Sequence, residues 1–340
     1  MVLRYGVTNL SSLDRFPQLH VRGVLSQHNP ALSSQIDHLE KQKKSLVQQS
    51  RNEKLNDLQR QQLKTQIAQV KQELQPLKEQ LKEKEAELIR QANVVGCTLS
   101  KAAIAQEIHQ RRFDAVVIDE ASMAYIPHCA FISTLARRRV AVFGDFRQLG
   151  PISQADTEAT REWLQQDIFN EAGITASVKR GCTDPILVLL KIQYRMHPDI
   201  AAIPNRLFYD SQLVDGAGVK EQTTSIAQNL PSFGNALVLY DLTKWSAFCF
   251  SEEESHSRFN FISALIAVNL AYASVQAGNS NIGIITPYNA QSRLIHRLLN
   301  DLSIAQKQVK VVTVHRFQRS EQDVIIFDTV EGPPREKPDY

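Results

Sequence analysis

Val116-Val117-Ile118-Asp119-Glu120-Ala121-Ser122 runs three β-branched residues straight into two carboxylates. With Ala115 in front, the apolar run is short and ends abruptly in charge. That is the pattern of a strand buried on both faces, as in a parallel sheet with helical crossovers. Ligands of open parallel sheets bind beyond the carboxyl ends of the strands. Asp119 there is suited to hold Mg²⁺ through water, and Glu120 to orient and deprotonate an attacking water. Taken alone, such a pair is a solvated loop more often than a catalytic one.

The same grammar recurs on either side. Val140-Ala141-Val142-Phe143 is followed by Gly144-Asp145-Phe146-Arg147-Gln148-Leu149-Gly150-Pro151. The glycine permits a tight turn, and Gln148 at a strand end can sense a terminal phosphate by hydrogen bonding. Gln193-Tyr194-Arg195-Met196-His197-Pro198 offers a flat tyrosine face for a base and a planar positive fork for phosphate oxygens. Gly283 to Gln291 and Thr313 to Glu321 again set polar residues at strand ends. Strands are expected over Ala236–Tyr240, Ile282–Ile285, Val309–Val314 and Val324–Phe327, with helices from about Phe259 to Val275 and Ala290 to Leu302. The chain reads as two successive α/β blocks bordering near Thr183-Asp184-Pro185.

From Ala31 to Ala92 the composition shifts to Gln, Lys, Glu and Leu. Leu63, Ile67, Val70, Leu74, Leu77, Leu81 and Leu88 form one apolar stripe of coiled-coil period. Leu32, Ile36, Leu39 and Leu46 predict a shorter helix before it, with a turn over Gln48–Lys54. Pro76 is expected to kink or split the second helix. Two stripes so close in sequence predict an antiparallel hairpin, the alternative being a coiled-coil dimer. Ahead of it, Val2 to Gly6 is strand-like, and the stretch up to about Pro30 is loop-like.

Bulk properties narrow the class. The 340 residues are 43% apolar with a formal net charge of +3, too little to announce a nucleic-acid binder by charge. Cys97, Cys129, Cys182 and Cys249 are scattered without the clustered spacing of a zinc site. Unpaired cysteines, with no signal peptide and no apolar run near the ~20 residues of a membrane span, predict a soluble cytoplasmic protein.

The five polar blocks, in this order, resemble motifs II, III, the adenine-arginine motif, IV and V of superfamily 1 ATP-dependent helicases. The branch is that of the nonsense-mediated-decay helicase and its bacterial relatives. Val94 to Ser100 is similar to that branch's early nucleic-acid-contact motif, and the likeness runs over nearly all of residues 93–334. The resemblance implies two RecA-like parallel-sheet domains that close on ATP and Mg²⁺ and move along single-stranded DNA or RNA, with 5′ to 3′ polarity. Residues 1–30 would be a remnant of the first domain and 31–92 a stalk-like helical insert. Residues 93–184 would complete the first domain, and 185–340 would form the second.

On the same resemblance, Asp119 would hold Mg²⁺, Glu120 would be the general base and Gln148 the γ-phosphate sensor. Tyr194 would stack on adenine, Arg195 would meet the γ-phosphate and Glu321 would reach the ribose side. Thr98, Thr286, Pro287 and Thr313 would line the strand groove.

Three departures accompany the likeness. The sequence holds no GxxxxGK[ST] phosphate loop, and the chain reads as cut ahead of Val2 rather than mutated; the final arginine motif is absent too. Where the family has Gln-Gly, Gln318 is followed by Arg319. That arginine either bears about 1–2 kcal/mol of left-handed strain or touches a nucleic-acid phosphate. The expectation is a helicase core inactive alone, either a fragment or one half of a split motor whose other chain supplies the phosphate loop. The alternatives are a nucleic-acid-binding remnant without ATPase activity, or a scaffold whose hairpin docks a partner protein.

Overall fold

Short parallel strands and the helices between them build two compact units, Met1–Leu187 and Val188–Tyr340. The computed structural model of the chain describes residues 1–6, 16–51, 56–181, 184–302, 308–317 and 320–334. Cys182, Gln318 and Arg319 lie outside the described residues. The architecture is mixed α/β with small, mostly parallel sheets.

In the first unit β1 (Val2–Arg4) runs parallel to β2 (Val94–Gly96), with Leu3 opposite Val95. β3 (Phe113–Ile118) runs parallel to β4 (Ala136–Val142), with Ile118 opposite Val142. Leu3, Ile89, Ile118 and Ala121 share one core with Cys129 and Ile132 of the Ile126–Ser133 helix. Burial on both faces, expected for β3 and β4, is not found: Val117 is 66% exposed and Val140 43%. The sheet has two strands, and these valines face solvent instead of a covering layer.

Where a loop was expected ahead of Pro30, Val21–His28 is a helix that buries Val21, Val24 and Leu25. Three apolar residues on one face suffice once a core receives them. The Pro30–Ser50 and Asp57–Gln91 helices then pack antiparallel, Ile36 and Leu39 against Val70 and Leu74. Glu40 pairs with Lys78 across the seam. Asn56 opens the second helix with a capping box: its Oδ1 accepts the Gln59 N–H at 2.8 Å, and its own N–H donates to Gln59 Oε1 at 3.1 Å. Leu32, Leu46, Leu77 and Leu81 pack around Ile36, Leu39, Val70 and Leu74, so much of the two stripes meets within the pair of helices. Pro76 does not split the helix, which continues through it. The expected turn begins later than Gln48, because helix persists to Ser50; residues 52–55 lie outside the described residues.

In the second unit β5 (Ile192–Gln193) pairs parallel with β6 (Val214–Asp215), and β7 (Phe250–Ser251) antiparallel with β8 (Arg258–Phe259). The main sheet is β9 (Ile282–Thr286) flanked by β10 (Val309–Thr313) and β11 (Val324–Phe327), all parallel. Every residue of β9 is buried. The Phe261–Gln276 helix contributes Ala264, Ala267 and Val268 to the core, and Asn289–Asp301 contributes Ile295 and Leu299. Asn260 caps the former, its side chain accepting the Ser263 N–H at 3.1 Å. The strand expected over Ala236–Tyr240 does not form. Leu239 is 91% exposed there, and without a neighbouring ladder an apolar run has no reason to extend.

The buried seam of the second unit sets a stability test. Ile295 is fully buried, and Ile295→Ala should lower stability by about 2–5 kcal/mol, read from the urea midpoint. The same change at exposed Leu239 should leave the midpoint nearly unmoved.

Candidate functional site

The two acidic and glutamine-bearing loops of the first unit leave adjacent strand ends. Phe143 N–H donates to Ile118 O at 2.7 Å, and Ala121 N–H donates to Phe143 O at 2.8 Å, so the loops after β3 and β4 are laced together. Asp145 N–H reaches Ser122 Oγ at 3.4 Å. Gly144 is required here by close approach rather than by a left-handed turn. An added Cβ would lie 2.8 Å from Phe169 Cε2 and 2.9 Å from Ser122 N.

On this base Asp119 is exposed, and its Oδ1 accepts the Glu120 N–H at 2.9 Å. Glu120 sits in the left-handed region at φ 54°, ψ 40°, a conformation uncommon for a residue with a Cβ. Gln148 is exposed, and its Nε2 donates to Asp145 Oδ2 at 2.8 Å. Asp145 Oδ1 also accepts the Arg147 N–H at 3.0 Å, so one carboxylate orients the glutamine amide and shapes its loop. Thr98, at the end of β2, is exposed and caps the Leu99–Ile104 helix by accepting the Lys101 N–H at 3.1 Å.

The second unit carries the remaining candidates. Tyr194 is 69% exposed. Gln193 braces the turn beneath it: its Oε1 accepts the N–H groups of Arg195 and Met196, each at 2.9 Å, and its Nε2 donates to Met196 O and to Asp215 Oδ1. His197 Nδ1 accepts the Asp199 N–H at 3.2 Å and caps the Pro198–Phe208 helix. Arg195 Nε lies 3.2 Å from Glu321 Oε2, so these two candidates meet. Thr286 and Thr313 are paired at the ends of β9 and β10, but both are buried, and Pro287 is half-buried.

Beside Pro287 lies a buried polar network. Gln291 Nε2 donates to Asp328 Oδ2 at 2.6 Å and to Asn260 O and Ser263 Oγ, each at 3.0 Å; its Oε1 accepts the Asn260 N–H at 2.9 Å. Burial pushes the Asp328 carboxyl above its ordinary range, against the pull of the hydrogen bonds from Gln291, Ser263 and the Val330 N–H. Arg258, itself buried, pairs with Glu331 at 2.7 Å, and Tyr288 Oη donates to the same carboxylate at 2.7 Å.

Two family models, each described as an AAA domain, match residues 17–155 and 175–337. Between them they take in every polar block just described. The chain belongs to the superfamily 1 helicases. Its branch is that of the nonsense-mediated-decay helicase. It is 32% identical over 256 residues to a "Regulator of nonsense transcripts 1 homolog" from Arabidopsis thaliana, covering 72% of this chain and 19% of that protein. It is 31% identical over 255 residues to a "DNA polymerase alpha-associated DNA helicase A" from Schizosaccharomyces pombe, covering 72% and 36%. It is 30% identical over 292 residues to a "5'-3' DNA helicase ZGRF1" from Mus musculus, covering 81% and 15%. The chain therefore spans between 15% and 36% of these relatives' lengths.

The sequence blocks contained Asp145 and Gln193 but gave no reason to single them out, since their work is to hold neighbours. Among the described residues no cluster of three His, Cys, Asp or Glu side chains could hold a metal, and no helix is long and apolar enough to cross a membrane.

Two outcomes follow from these contacts. Gly144→Ala should cost about 1–3 kcal/mol, seen as a lowered urea midpoint, because the new methyl meets the Phe169 ring and the backbone nitrogens of Ser122 and Ala121 together. Asp328 has a raised folded value, so its contribution to stability is complete below the unfolded value of 3.8 and is lost as pH rises through the folded one. Midpoints measured across acidic to neutral pH should show this loss in the wild type and its absence in Asp328→Asn.

Proposed function

We propose that the chain is the core of an ATP-dependent helicase or translocase acting on single-stranded DNA or RNA, with Mg²⁺ as the metal. The observation that carries this reading is the lacing of the Asp119-Glu120 loop to the Gln148 loop at the ends of two parallel strands. Polar groups fixed at that edge are where nucleotide chemistry is done in this class of sheet. In the same reading residues 1–30 and 93–184 make the first RecA-like domain, 31–92 its helical insert, and 185–340 the second domain. The mouse relative, named a 5'-3' DNA helicase, supports 5′ to 3′ polarity.

The residues fit the groups they would hold. Asp119 offers an exposed carboxylate without a protein cage around it, which suits Mg²⁺, a cation that keeps several waters and takes one or two carboxylates plus phosphate oxygens. When bound, the metal would neutralise charge on the phosphates. Glu120 would orient a water and take its proton. Gln148 has two amide hydrogens: Asp145 holds one, and the other would serve a phosphate oxygen. Tyr194 would stack on the adenine, Arg195 would face the γ-phosphate and Glu321 the ribose. Thr98 and Pro287 would touch the strand's backbone directly. The buried Thr286 and Thr313 would act through the shape of the strand ends.

A second reading is a nucleic-acid-binding remnant without turnover. The 340 residues contain no GxxxxGK[ST] loop, whose amides, lysine and hydroxyl would otherwise cradle the phosphates and the metal.

The two readings separate in one experiment. The 340-residue chain alone should show little or no ATP hydrolysis. Adding a glycine-rich phosphate-loop segment, fused or in trans, should restore hydrolysis that single-stranded nucleic acid stimulates and Glu120→Gln abolishes. Continued silence together with salt-sensitive strand binding would establish the remnant instead.

A further inference from the structure

The seat of Tyr194 is a single glycine outside every block that carries the family likeness. A Cβ built on Gly216 would fall 2.2 Å from Tyr194 Cε1, 2.3 Å from Cδ1 and 2.9 Å from Cζ, and these are its three nearest atoms. Those distances fix the direction of approach. A carbon lying in the ring plane beside the Cδ1–Cε1 bond would be far more distant from Cζ. One Gly216 Cα hydrogen therefore faces the flat of the ring, and the ring leans on backbone.

That backbone is itself held in place. Gly216 N–H donates to Gln193 O at 2.8 Å, and Asp215 Oδ1 accepts from Gln193 Nε2. β5 and β6 pair Gln193 with Asp215. The residue before the tyrosine and the residue before the glycine are thus joined by backbone and side chain, which fixes ring and seat relative to each other. Gly216 has no left-handed φ, so its lack of a side chain is needed for room.

We propose that Gly216 is a positioning residue for nucleotide binding. It lets Tyr194 lie flat, so that the opposite face of the ring is presented to a planar base. The assignment rests on the reading of Tyr194 as the adenine platform and adds what holds that platform. The three atoms nearest a methyl at position 216 all belong to the ring of an exposed side chain. Gly216→Ala should therefore leave the fold intact and swing the ring off its seat.

The test uses the full chain labelled with 3-fluorotyrosine, the Tyr194 resonance being assigned by its loss in Tyr194→Phe, and ADP as the probe. Gly216→Ala should shift the Tyr194 fluorine signal while leaving the other tyrosines in place. Saturation transfer to adenine H2 and H8 should be retained in Tyr194→Phe. Affinity for ADP should fall about fivefold or more in both Gly216→Ala and Tyr194→Ala, in line with the worth of base–aromatic stacking. The double variant should be no weaker than Tyr194→Ala alone. An unmoved fluorine signal with wild-type ADP binding in Gly216→Ala overturns the proposal and leaves the platform reading standing. A double variant weaker than Tyr194→Ala overturns it too, since Gly216 would then act by another route. A moved signal with ADP binding unaffected by Tyr194→Ala, or no transfer in the wild type, overturns the platform reading and with it the role assigned to the seat.

Discussion

Two backbone hydrogen bonds, Phe143 N–H to Ile118 O and Ala121 N–H to Phe143 O, govern the geometry of the first unit's site. They carry the β3–β4 ladder one residue past the strands, so that both loops start from one rigid edge. Asp119, Glu120, Asp145 and Gln148 all hang from that edge. The lacing brings backbone so close that position 144 has no space for a side chain. Close packing of main chain against main chain gives such a site its precision, because a planar peptide has only two soft torsions to absorb error. Glu120 then takes the less favourable left-handed conformation as the consequence of leaving a fixed strand end in a fixed direction.

The second unit reaches rigidity by different means. Gln291, fully buried, uses its oxygen and nitrogen on four partners around Asn260, Ser263 and Asp328. A buried polar network satisfied to this degree specifies one arrangement of its elements, whereas a half-satisfied one would destabilise it. The network ties the helix after β9 to the turn after β11 and to the start of the Phe261–Gln276 helix. The block Gly283 to Gln291 therefore has a structural half and a site-facing half. Its glutamine is interior architecture, and only Pro287 and its neighbours are available at the surface.

How much of this was legible varies with the range of the interaction that decides it. β9 and the helix after it could be read directly, since a continuous apolar run followed by a 3.6-residue stripe carries its own signal. Ala236–Tyr240 has the same texture and forms no strand, because pairing depends on a partner that local sequence does not supply. The exposure of Val117 and Val140 was illegible for the same reason: a run of valines records a capacity for burial, not the presence of a cover. Val21–His28 was missed because three apolar residues are too few to count as a period. In the site, the chemically distinctive side chains stood out and their supports did not. Gly216 and Asp215 matter only through contacts with a turn more than twenty residues earlier, and nothing in their own neighbourhood marks them. Arg319, where the sequence departs from its family, lies outside the described residues.

Tyr194 and Arg195 are adjacent and similarly exposed, yet they are supported by opposite kinds of force. The arginine is met by Glu321 at 3.2 Å with both side chains largely in solvent. A pair of that kind is worth only about 0–1 kcal/mol and weakens with salt, so it orients the guanidinium without committing it. The tyrosine ring is placed by steric contact and by a brace of four hydrogen bonds through Gln193, none of which depends on ionic strength in the same way. A phosphate can displace a carboxylate from an exposed arginine at little cost, while a base needs a surface that does not move. The two neighbours are built for those two different demands.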